Sequence, residues 1–173
     1  MKKTMAKTSF KLHGDFAIKI VKLNVEKLIQ LLNKAYADEW LAYHQYWTCA
    51  KLVEGPQRSE VITELNQHAQ EEYQHLEKIT TRIIQLGGTP LKTPAEWYKH
   101  AGCTYKATEN LGMQSVLEEN IKGEQCAIQF YDGLLRFIGT KDPITYDMIL
   151  QILNDELEHE QDLTLLLQEF KAL

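Results

Sequence analysis

Glu72-Tyr73-Gln74-His75 and Glu156-Leu157-Glu158-His159 decide how this chain is read. They are the only two Glu-x-x-His pairs in its 173 residues. Each sits inside a run of apolar residues spaced by threes and fours. Val61, Leu65, His68 and Ile79 flank the first pair; Ile149, Ile152, Leu163, Leu166 and Phe170 flank the second. Residues three apart share one face of a helix, so each pair presents an acid and an imidazole together on the face meant for the core. Two further stripes carry a lone acid. Glu39 follows Leu28, Leu32 and Ala35 and precedes Ala42, Tyr46, Cys49 and Val53. Glu124 follows Met113, Leu117 and Ile121 and precedes Ile128, Tyr131, Leu135 and Ile138. A tyrosine stands seven residues after each lone glutamate.

Proline and glycine divide the chain around these stripes. Gly55-Pro56, Gly87 to Pro94 and Gly139 to Pro143 separate four long segments with helical periodicity. Helices are predicted over 25–53, 58–86, 109–138 and 143–171, with Asn24 capping the first and Asp142-Pro143 opening the last. No stretch reads as a strand. Two connections are short and imply antiparallel hairpins. The stretch 87–108 is longer, and 22 extended residues reach roughly 70 Å. A 29-residue helix is only about 43 Å long. The expected fold is therefore all-α, a four-helix bundle with one long crossover, on which Pro94 to Tyr98 adds a short helical turn.

Each glutamate lies within about a residue of the middle of its predicted helix, and helix middles share one level whichever way the chain runs. Six side chains thus converge: Glu39, Glu72, His75, Glu124, Glu156 and His159. Burying an unpaired carboxylate costs several kcal/mol. Two divalent cations would balance four carboxylates, with one neutral imidazole for each. The bland reading of any single Glu-x-x-His is a solvated helix face, and Glu71, Glu77, Glu119 and Glu158 are assigned there. Two pairs and two lone glutamates, all at mid-helix on apolar stripes, fit a metal site better.

Composition suits a globular body: 44% hydrophobic and 25% charged residues with a net charge of −5. Residues 1–23 read as a basic segment, with Lys2, Lys3, Lys7, Lys11, Lys19 and Lys22 against Asp15, and 24–173 as the helical domain. No apolar run approaches the roughly 20 residues of a membrane span, and no cleavage site follows the basic start. A cytoplasmic location is expected. Three cysteines without a CxxC pair argue against a disulfide scaffold.

Ala37-Asp38-Glu39-Trp40-Leu41-Ala42-Tyr43-His44-Gln45-Tyr46, Glu72 to His75 through Arg82 to Pro90, and Met148 to His159 together resemble the ferritin-like superfamily. The resemblance is nearest to bacterioferritin and the Dps-like thioferritin branch. It implies that Glu39 and His75 end one iron site, that Glu124 and His159 end the other, and that Glu72 and Glu156 bridge them. It further implies oxidation of Fe(II) by oxygen or hydrogen peroxide, two irons per subunit with manganese as the other candidate, and storage of Fe(III) in a shell. Tyr73 stands where bacterioferritin has its haem-ligating methionine, so no haem is expected. Only 14 residues follow His159, so no fifth helix is expected and a 12-subunit shell is favoured over 24.

The thioferritin branch has cysteines beside its site, which map to Cys103 and Cys126. These two either pair or stand as buried structural thiols, while Cys49 reads as packing. His68 either supports the ligands or is a core histidine. Tyr46 and Tyr131 either orient ligands and pass electrons or simply fill the core. The N-terminal lysines suit DNA phosphates, as in some Dps tails, but no base-reading motif accompanies them. A rubrerythrin-like di-iron or di-manganese peroxidase without storage is the alternative enzyme, weakened by the missing CxxC…CxxC module. A DNA-binding Dps-type protein is the alternative outside catalysis.

Overall fold

The structure, a computed structural model, describes residues 11–56, 58–107 and 109–172. After α1 (Asp15–Lys19), the Asn24 side chain accepts the Lys27 amide at 2.8 Å and opens α2 (Val25–Leu52). The turn at Gly55-Pro56 leads into α3 (Arg58–Gln85). Gly87, with φ +80°, ends it as only glycine does without strain, and the Gly88 amide returns to the Ile83 carbonyl at 2.9 Å. The crossover carries α4 (Pro94–His100), started by a Thr93–Glu96 capping box. Then come α5 (Met113–Ile138), a 3-10 turn over Gly139–Lys141, and α6 (Pro143–Lys171), capped by Asp142.

Among the described residues six helices are present where four were predicted; the two additional ones are short, and α4 extends the turn expected at Pro94 to Tyr98. Three of the long helices fall within a residue of their predicted spans. The third begins at Met113 rather than at 109. The backbone of 111–113 is engaged elsewhere: the Glu54 amide donates to the Leu111 carbonyl at 2.8 Å, and the Met113 amide donates to the Glu54 carbonyl at 3.2 Å. This bridge places the start of α5 beside the α2–α3 turn, so the crossover runs the length of the bundle. Among the described residues no strand is present.

Lys2, Lys3 and Lys7 lie outside the described residues. Lys11 pairs with Asp15 at 3.1 Å, and the Lys22 amide donates to the Lys141 carbonyl at 2.8 Å. Val21 and Leu23 rest on the core beside the α5–α6 turn.

The apolar core is split in two. One half gathers Leu28, Leu32, Ile79, Ile83 and Ile149; the other gathers Cys49, Val61, Leu65, Leu117 and Leu163. A polar layer separates them. Beyond the first half, buried Arg82 of α3 holds buried Asp142 through two hydrogen bonds of 2.8 and 2.9 Å and donates from Nε to Thr145 at 2.7 Å. This bridge pins the end of α3 to the start of α6.

Candidate metal centre

The polar layer consists of the six side chains picked from the sequence, all buried. They form two overlapping groups whose donor atoms lie within 4.8 Å of one another. One group is Glu39, Glu72, His75 and Glu156; the other is Glu72, Glu124, Glu156 and His159. Glu72 and Glu156 belong to both. His75 Nδ1 lies 3.2 Å from Glu39, 3.3 Å from Glu72 and 3.4 Å from Glu156. His159 Nδ1 lies 3.4 Å from Glu72, 3.5 Å from Glu156 and 3.9 Å from Glu124.

Both imidazoles turn Nδ1 inward, and the outer nitrogens explain why. His75 Nε2 meets Asp155 of α6 at 3.0 Å, and His159 Nε2 meets Glu71 of α3 at 2.8 Å. A ring that donates Nε2–H to a carboxylate keeps its Nδ1 lone pair for a metal and cannot rotate freely. The lone glutamates are braced in the same crosswise manner. Tyr131 of α5 donates to Glu39 of α2, and Tyr46 of α2 donates to Glu124 of α5. Both tyrosines thus fill the core and orient a carboxylate at once.

The electrostatics favour positive charge at this layer. Burial pushes the Glu72 and Glu124 carboxyls above their ordinary range; the charge of Glu39 adds to this for Glu72, and those of Glu156 and Glu72 add to it for Glu124. Burial alone would strip protons from the imidazoles. The close carboxylates, Glu156 and Glu72 foremost for His159, outweigh it, raising His159 to about 12 and His75 as well. Glu72 Oε1, Glu124 Oε2, Glu156 Oε1 and His159 Nδ1 are buried without hydrogen-bond partners. Such orphaned atoms, with three carboxylates and one imidazole in each group, fit iron or manganese.

Glu71 corrects the sequence reading, which placed it on a solvated face. Asp155 was not singled out there. The missed signal was a doublet: an acid directly precedes the glutamate of each pair, Glu71-Glu72 and Asp155-Glu156. His68 is fully buried and stacks on His159 with ring centroids 4.1 Å apart.

Cys103 and Cys126 are joined in a disulfide, so they are not separate thiols, and the odd cysteine count conceals one bridge. Cys49 is buried in the core. The bridge ties the crossover to α5 at the rim of a cavity of about 60 Å³ that reaches Glu39, Glu72, Glu124 and Glu156 between α2 and α5. Asp38, which sequence reasoning passed over, holds the same segment: its Oδ1 accepts the Gly102 and Cys103 amides at 2.7 and 2.8 Å. Any Cβ on residue 102 would lie 2.1 Å from Lys34 Cε. On the outside of α2, Trp40 stacks against Trp97 of α4 with ring centroids 4.6 Å apart.

Fold and centre together are those of the ferritin-like class. The model of the ferritin-like domain matches residues 29–173, and the chain belongs to that family. Among its relatives is a "DNA protection during starvation protein" of Pyrococcus furiosus, 32% identical over 150 residues, which span 86% of this chain and 80% of the relative. A bacterioferritin of Desulfovibrio desulfuricans is 27% identical over 134 residues, 77% of this chain and 70% of its own length. Among solved structures, a dodecameric thioferritin, the bacterioferritin-related protein of Bacteroides fragilis, superposes with a TM-score of 0.89 at 40% identity, covering 92% of this chain and 96% of that one. No described helix is long and apolar enough to cross a membrane.

Proposed function

We propose that the protein is a cytoplasmic ferroxidase and iron-storage subunit that protects against oxidative stress. The observation that carries this is the set of buried, mutually facing donor atoms at Glu39, Glu72, His75, Glu124, Glu156 and His159. Two Fe(II) bound there supply one electron each, so that one hydrogen peroxide and two protons become two waters; oxygen is the other candidate oxidant. Glu39 and His75 would end one cation position and Glu124 and His159 the other, with Glu72 and Glu156 shared. Asp155 and Glu71 hold the imidazoles, while Tyr131 and Tyr46 hold the outer carboxylates. The split apolar core excludes bulk water from the layer, and the cavity under the crossover gives a small oxidant access. Fe(III) would then pass to a mineral inside a 12-subunit shell, the assembly described for the Bacteroides fragilis relative.

The test is to measure mass and iron content together on protein loaded aerobically with Fe(II). The expected result is a particle of about twelve times the 20.0 kDa subunit, holding many irons per chain. A small oligomer that retains only a pair of metals would replace storage with a rubrerythrin-like peroxidase. Salt-sensitive DNA retention with little metal would favour the role named for the Pyrococcus furiosus relative.

A further inference from the structure

The α3–α6 face lies across the bundle from the crossover and holds another set of donors. Glu64 and His68 stand one turn apart on α3, and Asp162 stands three residues beyond His159 on α6. His68 is 0% exposed, yet neither ring nitrogen has a hydrogen-bond partner. Its Nε2 lies 3.1 Å from Glu64 Oε1 and 3.9 Å from Asp162 Oδ2. The close approach to Glu64 lacks hydrogen-bond alignment. It matches instead the spacing of adjacent donors around one cation, since bonds of about 2.1 Å set neighbours roughly 3 Å apart. The three donor atoms lie within 4.8 Å of one another.

Charge points the same way. Burial raises the Glu64 carboxyl above its ordinary range, and the charges of Asp162 and Glu71 raise it further. Among the described residues no lysine or arginine forms an ion pair with Glu64, Glu71 or Asp162. The buried His68 ring, unpartnered at both nitrogens, offers a lone pair toward the two carboxylates. Stacking on His159 fixes its orientation.

We infer that Glu64, His68 and Asp162 form a third cation site, for a first-row divalent metal ion, beside the dinuclear centre. One imidazole with two carboxylates suits Fe(II), Mn(II) or Zn(II), with water completing the shell. The Asp162 side chain is 44% exposed, so the site opens to solvent. Glu71 links it inward, because His68, Glu71 and His159 also lie within 4.8 Å of one another. A chain of donors therefore leads from the α3–α6 surface to the dinuclear centre.

The site stands apart from the ferroxidase reading, and one experiment separates the two. The intact assembled protein is dialysed anaerobically against Co(II), and bound metal is counted for wild type, a Glu64→Gln/Asp162→Asn double variant and Glu72→Gln. The expected counts per subunit are three, two and one. Both changes in the double variant keep side-chain size at partly exposed positions, and an unchanged unfolding temperature without metal confirms the fold. A wild type holding only two ions, or a double variant holding as many as wild type, overturns the third site. If Glu72→Gln instead keeps every ion while the double variant loses one, the dinuclear reading falls and the third site stands.

Discussion

Replacing Glu39 by Gln and Glu72 by Gln should separate two kinds of ligand, because Glu39 belongs to one donor group and Glu72 to both. A cation present at 100 times its dissociation constant stabilises the folded state by about 2.7 kcal/mol. Two ions at the centre therefore add about 5 kcal/mol. At roughly 2–4 °C per kcal/mol for a domain of this size, Co(II) should raise the wild-type unfolding temperature by about 10–20 °C. Glu39→Gln and Glu124→Gln should keep about half of that rise, and Glu72→Gln and Glu156→Gln almost none. The rise is measured by anaerobic calorimetry at one protein concentration in the Glu64→Gln/Asp162→Asn background, so that ions outside the centre do not enter. Without metal, each Gln variant should match or exceed its parent, since a like charge leaves a crowded buried cluster. If Glu72→Gln retains as much of the rise as Glu39→Gln, the sharing of Glu72 is wrong.

Three further outcomes follow from buried contacts. Asp142→Ala should lower stability by about 3–5 kcal/mol, because Arg82 is left buried and unpaired; Arg82→Met/Asp142→Ala should recover part of the loss in denaturant titrations. Cys103→Ser/Cys126→Ser should cost about 3 kcal/mol, the loop-closure value for a bridge across a sequence separation of 23, read as a lower urea midpoint under non-reducing conditions. Asp38 has its carboxyl raised from 3.8 to about 6 by burial, against the lowering effect of the Cys103 and Gly102 amides and Lys34. Its ionised form is thus disfavoured in the fold, a penalty absent below pH 4 and complete above pH 6. Asp38→Asn keeps the acceptor for both amides and should gain up to about 3 kcal/mol at pH 8 and nothing at pH 4. Equal unfolding temperatures for variant and wild type across that range would contradict it.

The convergence of the six side chains was legible because helical spacing maps directly onto a face, and mid-helix acids on apolar stripes are few. Glu71 was not. It lies one residue, about 100° of helix, from the inward face, and becomes a partner of His159 only once α6 packs against α3. Arg82 and Asp142 were missed for a similar reason: as sequence they are a last-turn base and a helix cap, and only the closed bundle makes them a buried pair. The late start of α5 depends on a backbone bridge to Glu54, a contact between residues far apart in the chain. Cys103 lies on a connection without periodicity, so the direction of its side chain could not be read.

Every brace at the dinuclear centre comes from the opposite hairpin: Asp155 for His75, Glu71 for His159, Tyr131 for Glu39 and Tyr46 for Glu124. A nascent chain that has formed only its first hairpin therefore displays three loose donors with nothing to steady them. On the proposed ferroxidase reading, iron oxidation would then begin only when the two hairpins have met.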